Sequence, residues 1–151
     1  MSPAHPKPGK KRKTIGQRSR DQVDAIRPMV LLRDDYRCVV SGTPVGATSP
    51  CDGTATIQHR VGRGAGGSTQ FDGPAYLLVM CVRHNVLETS SAAFAADCLE
   101  NGWSLRRNAV DVDPTQIPVR YRDGWYLLDA DGCSRQRVHP NIADKLMERA
   151  S

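Results

Sequence analysis

A chain of 151 residues, 39% apolar and 25% charged, is long enough for one compact domain with a modest core and needs no disulfides to hold it. No apolar run approaches the ~20 residues that span a bilayer, and the basic start has no apolar segment behind it to make a secretory leader. A cytoplasmic protein is therefore the expectation. The net charge of +5 is unevenly spread: the first 20 residues hold seven cations and no acid, so the remainder is slightly acidic.

Residues 1–17, rich in Pro, Gly and Lys, are expected to form a disordered basic arm. Lys10, Lys11, Arg12 and Lys13 could follow a phosphate backbone through salt-sensitive contacts that ignore base sequence. A merely solvated tail is the plainer alternative. From about Ser19 to Asp34 the spacing of Val23, Ile26, Val30 and Leu31 predicts a helix capped by Ser19 and interrupted at Pro28.

The segment 37–46 reads as a short strand and turn, 47–53 as loop, and TATIQHRV (54–61) as a β-branched strand ending near His59. The following GRGAGGSTQFDG must be loop. AYLLVMC (75–81) is a buried strand by its length and unbroken apolarity. Residues 83–100 then form a helix ended by Gly102. Two Asp-Gly turns separate three short strands, a C-terminal β-meander, before a final helix opened by Pro140. The expected segments are 1–17, a central unit over 18–105, and the meander with its helix over 106–151.

The chemistry concentrates in 54–88. A histidine closes one strand, a second strand follows, and Cys81-Val82-Arg83-His84-Asn85 opens a helix. Such a ββα unit can set an imidazole opposite side chains that hold a divalent cation. Phosphodiester hydrolysis needs those two parts: a base active near neutral pH, and positive charge at the phosphate and the leaving oxygen. Five cysteines, an odd number with no export signal, point to metal ligands or buried thiols rather than disulfides.

The run IQHRVGRGAGGS, followed by LLVMCVRHNVLE and a Gly-Trp, resembles the HNH endonucleases, in particular small ones carried by actinobacterial phages. The resemblance covers roughly Arg33 to Trp103. It implies an α+β fold with a ββα-metal (HNH, or His-Me finger) core, an N-terminal helix and the C-terminal antiparallel meander. It also implies a metal-dependent hydrolase that cuts DNA to a 5′ phosphate and a 3′ hydroxyl, and a partner of the phage terminase type in the host cytoplasm.

Carried over by residue, His59 matches the general base. Gln58 stands where many members have a metal-binding Asp; its carbonyl can ligate without charge. The middle Asn, which orients the base, should fall at Ala75 or Tyr76 and is missing. The last metal-binding position is filled by His84 or by Asn85, with Glu88 one turn on favouring His84. Mg²⁺ or Mn²⁺ is the expected catalytic ion.

Zinc-bearing members carry two Cys-x-x-Cys pairs. Here Cys38-Val-Val-Ser41 breaks the first, but Cys38, Cys51, Cys81 and His84 together would satisfy a structural Zn²⁺. Cysteines packed in a core are the plainer reading, and Cys98 and Cys133 are read that way. Arg60, Arg63 and Arg83 are candidates to clamp phosphates. The departures at Gln58 and at the middle Asn keep open a catalytically inactive, HNH-like module that binds DNA or protein, and tightly held zinc with a preference for RNA would indicate an RNA-binding protein.

Overall fold

The computed structural model describes residues 12–46, 51, 54–62, 64, 68–107 and 113–149. Helix α1 (Ile15–Arg33) is followed by strands β1 (Ala55–His59) and β2 (Leu77–Cys81), helices α2 (Val82–Ser90) and α3 (Ala92–Glu100), strands β3 (Val119–Tyr121), β4 (Gly124–Leu128) and β5 (Arg135–Val138), and helix α4 (Pro140–Glu148). The fold is α+β, with two small antiparallel sheets in the orders β1-β2 and β3-β4-β5. No helix among the described residues is long and apolar enough to cross a membrane.

Helix α1 starts earlier than expected. Thr14, not Ser19, is its cap: the Thr14 hydroxyl accepts from the Gln17 amide at 3.2 Å and the Gln17 side chain returns the bond at 2.9 Å. Ser19 lies buried inside the helix, and the helix runs through Pro28 without a break. The exposed turn at Pro28 gives up one backbone bond, and Val23 and Val30 packing against β2 hold the helix on either side of it. Lys10 and Lys11 fall outside the described residues; Arg12 and Lys13 are exposed just ahead of the helix, and Lys13 pairs with Asp21.

Past α1 the chain reverses through Asp35 and Tyr36, both left-handed at φ 54° and 53°. A Tyr in that region costs roughly 1–2 kcal/mol, held here by the Tyr36 N–H to Leu31 O bond at 2.8 Å. Residues 37–46 are a tight loop rather than the expected strand. Only an Arg37–Pro44 bridge pairs, and the Cys38 amide donates to Thr43 O at 3.0 Å. Gly42, at φ 67°, sits where a Cβ would meet the Arg122 side chain at 2.6 Å.

Strand β2 is buried on both faces, which explains its unbroken apolar run. Leu77 and Val79 pack on α1, while Leu78 and Met80 join a cluster with Cys38, Trp103, Val119, Tyr121 and Leu128. The predicted helix over 83–100 is two helices. Ser91 leaves helical geometry and caps α3 through Phe94 N. Gly102, left-handed as expected of a terminator, lies where any Cβ would collide with the Pro118 carbonyl.

Two buried polar networks lock the layers. Asp34 accepts from Arg33 Nε at 2.8 Å, from the Val79 amide at 2.9 Å and from the Tyr121 hydroxyl at 2.8 Å. Burial, reinforced by Asp34, pushes the Tyr121 phenol pKa up, so it remains a donor. Arg60 is the second hub. It donates to the carbonyls of Gly102, Ala75, Pro114 and Ile117.

Candidate active site and metal centre

The end of β2 carries Cys81, which is also the N-cap of α2, so His84 in the first turn of α2 lies back over it. The 37–46 loop brings Cys38 to the same point, and Cys51 joins it there. His84 Nδ1 lies 3.1 Å from Cys81 Sγ, 3.4 Å from Cys38 Sγ and 3.9 Å from Cys51 Sγ. All four ligand atoms fall within 4.8 Å of one another. Tetrahedral ligands about 2.3 Å from a zinc ion stand about 3.8 Å apart, so the cluster has the size and donor set to hold a metal ion.

Its surroundings agree. Ser41 Oγ lies 3.0 Å from Cys51 Sγ, and the Cys81 amide approaches Cys38 Sγ at 3.5 Å. The Phe94 ring stacks on the His84 ring with centroids 5.6 Å apart. Burial pushes the Cys51 thiol pKa up to about 12, with Cys81 and Cys38 adding to the rise. Three crowded thiols ionise together only when a cation compensates them. Cys98 is buried, as expected, but Cys133 is exposed on a turn and packs no core.

Because His84 turns its Nδ1 to the thiols, Asn85 is the side chain that α2 presents beside β1. The Asn85 amide nitrogen donates to Thr56 Oγ1 at 2.8 Å, and that hydroxyl donates to Met80 O at 2.8 Å. This fixes the amide plane and leaves the Asn85 carbonyl oxygen as its remaining ligand atom. An open groove of about 220 Å³ is lined by His59, Asn85, Gln58, Gly62, Glu88 and Thr89. His59 at the strand end and Asn85 at the helix start thus line one space. Gln58 is 6% exposed and donates its amide to the His59 carbonyl at 3.1 Å. Glu88 accepts from the Ser104 hydroxyl at 2.8 Å.

Behind the imidazole stands Asp72, which sequence reasoning missed. His59 Nε2 lies 2.9 Å from Asp72 Oδ1, the carboxylate is wholly buried, and its Oδ2 has no hydrogen-bond partner among the described residues. Asp72 approaches the ring because β1 and β2 pair His59 with Leu77, and the 3₁₀ turn Pro74–Tyr76 folds the preceding Asp-Gly back against it. The available signal was an Asp-Gly-Pro directly before an apolar strand, set within a loop read only for its glycines.

Arg60 requires correction. Expected to clamp phosphate, it is 1% exposed, with its guanidinium committed to four backbone carbonyls. Burial lowers its pKa to about 10, which leaves it charged at neutral pH. Arg83 is exposed on the first turn of α2, and Arg63 lies outside the described residues. A second groove, on the α1 side of His59, is lined by Arg20 and Arg27, neither of which the motif reading considered. Comparison with family models, with curated proteins and with solved structures finds no match to this chain.

Proposed function

We propose that the protein is a metal-dependent HNH-type endonuclease that hydrolyses DNA phosphodiester bonds, built on a ββα-metal core with a structural zinc site beside it. The carrying observation is His59, backed by buried Asp72, sharing a groove with Asn85 across the β1–β2–α2 unit. Asp72 on Nε2 assigns the ring proton to that nitrogen and the lone pair to Nδ1. His59 then takes a proton from water, and the carboxylate stabilises the imidazolium that results. Here Asp72 takes over the orienting work of the missing middle Asn.

A divalent ion, Mg²⁺ or Mn²⁺, held by Asn85 with help from Gln58, would supply positive charge to the phosphate and the leaving 3′ oxygen. The Cys38, Cys51, Cys81 and His84 set suits Zn²⁺ in a structural role, pinning the start of α2 and with it Asn85. By resemblance the products carry a 5′ phosphate and a 3′ hydroxyl, and the setting is phage genome processing beside a terminase.

One observation favours a second reading, an inactive HNH-like module that binds DNA or protein. Gln58 is uncharged and spends its amide on the backbone, so the groove has a thin set of hard ligands. Supercoiled plasmid incubated with the protein and Mg²⁺ or Mn²⁺ separates the two. Nicking that stops with chelator, and that falls about a hundredfold or more in His59→Ala, supports the enzyme. DNA binding with no nicking under any of these metals supports the module.

A further inference from the structure

His59 and Ile57 border two grooves at once, one beside α2 and one beside α1. The two differ in charge. The α2 groove contains Glu88 and no cation among its described lining residues, which suits a metal ion. The α1 groove, about 180 Å³, sets Arg20, Asp24 and Arg27 of the helix against Thr56 and His59 of β1. Arg20 and Arg27 are seven residues apart, two helical turns, and so share one face of α1. Arg27 is held across the groove by an Nη2 bond to Ala55 O at 2.8 Å. A guanidinium has five donors, so that bond pre-orders the group without using it up.

We infer that the α1 groove is a binding site for a DNA backbone phosphate adjoining the scissile one, with Arg20 and Arg27 as its clamp. The inference rests on the nuclease reading for placing the scissile phosphate at His59. A backbone crossing β1 passes both grooves in succession, and phosphate contacts of this kind set its register without reading bases. The site takes over the work expected of Arg60, whose donors are turned inward. Asp24 lies between the two arginines along the helix and leaves the groove with a net single positive charge, which tempers its hold on an anion.

The full chain carrying His59→Ala, which removes cleavage, is titrated into a fluorescein-labelled DNA duplex across a KCl series, and anisotropy is read. Adding Arg20→Glu should weaken binding severalfold and lower the slope of log affinity against log salt by about one unit. Asp24→Asn should tighten binding severalfold. Arg106→Glu, the same charge change in the groove between α3 and α4, should match the parent.

If Arg20→Glu and Asp24→Asn both bind as the parent does, with unchanged slopes and circular dichroism, the site is overturned. Wild-type plasmid nicking is scored in parallel. Nicking without dependence on α1 charge rejects the phosphate site and keeps the nuclease. Dependence on α1 charge without nicking keeps the site and rejects the nuclease.

Discussion

At the scale of single residues, the proposed chemistry rests on the His59–Asp72 pair. An Asn would orient the ring with a neutral amide, whereas Asp72 does so with a buried carboxylate whose second oxygen is unsatisfied among the described residues. A carboxylate so placed is expensive unless it meets a positive charge, and the imidazolium formed on proton uptake supplies one. Asp72→Asn preserves shape and one polar contact but removes the charge. Nicking should fall about ten- to a hundredfold, the usual cost of losing the group that orients a working imidazole, while DNA affinity in the anisotropy titration stays at the wild-type value. Equal loss of binding and nicking would reassign Asp72 to holding the loop.

At the scale of elements, the Cys38, Cys51, Cys81 and His84 cluster belongs to three pieces: the 37–46 loop, the residue Cys51, and the junction of β2 with α2. The junction is where His84 faces the thiols and Asn85 faces β1, so one helical turn supplies both the histidine of the cluster and the amide of the groove. Cys38 and Val39 of the loop are buried and Val40 and Val45 pack partly buried against the two core clusters; metal–thiolate bonds would add a further clamp. The purified chain is expected to carry about one zinc ion by atomic absorption. Cys51→Ser should lower that stoichiometry and the melting temperature together, with Cys98→Ser, buried outside the cluster, leaving the zinc content intact. A full zinc complement in the Cys51 variant would remove that thiol from the site.

At the scale of the whole molecule, the C-terminal meander is bound into the same core as the ββα unit. Val119, Tyr121 and Leu128 pack with Leu78, Met80 and Trp103, and the Trp103 indole donates to Arg120 O at 2.7 Å. Tyr121 reaches Asp34 at the end of α1, so one carboxylate ties together α1, β2 and β3. Tyr121→Phe leaves Asp34 short of a donor in a buried place and should destabilise the protein by about 1–3 kcal/mol, measured by urea unfolding, with the zinc content unchanged. A loss confined to DNA cutting would instead tie the meander to substrate.

Local patterns were legible in the chain itself because they depend on neighbours a few residues away. β-Branching marked β1, unbroken apolarity marked β2, Asp-Gly turns marked the meander, and the order His59, Cys81, His84, Asn85 marked the candidate site. Local readings failed where packing or a better cap outweighed them: Thr14 displaced Ser19 as the cap of α1, Pro28 was carried through a helix held on both sides of it, residues 37–46 closed into a loop instead of a strand, and Ser91 divided a helix that periodicity alone continues. What lay beyond reach was every decision about which distant group faces which. Whether His84 joins the thiols, whether Arg60 points out or in, and which carboxylate stands behind His59 depend on side chains brought together from 13 to 57 residues apart. Such contacts are chosen by the closing of the core, where each buried donor must find an acceptor, and no short-range pattern records that choice.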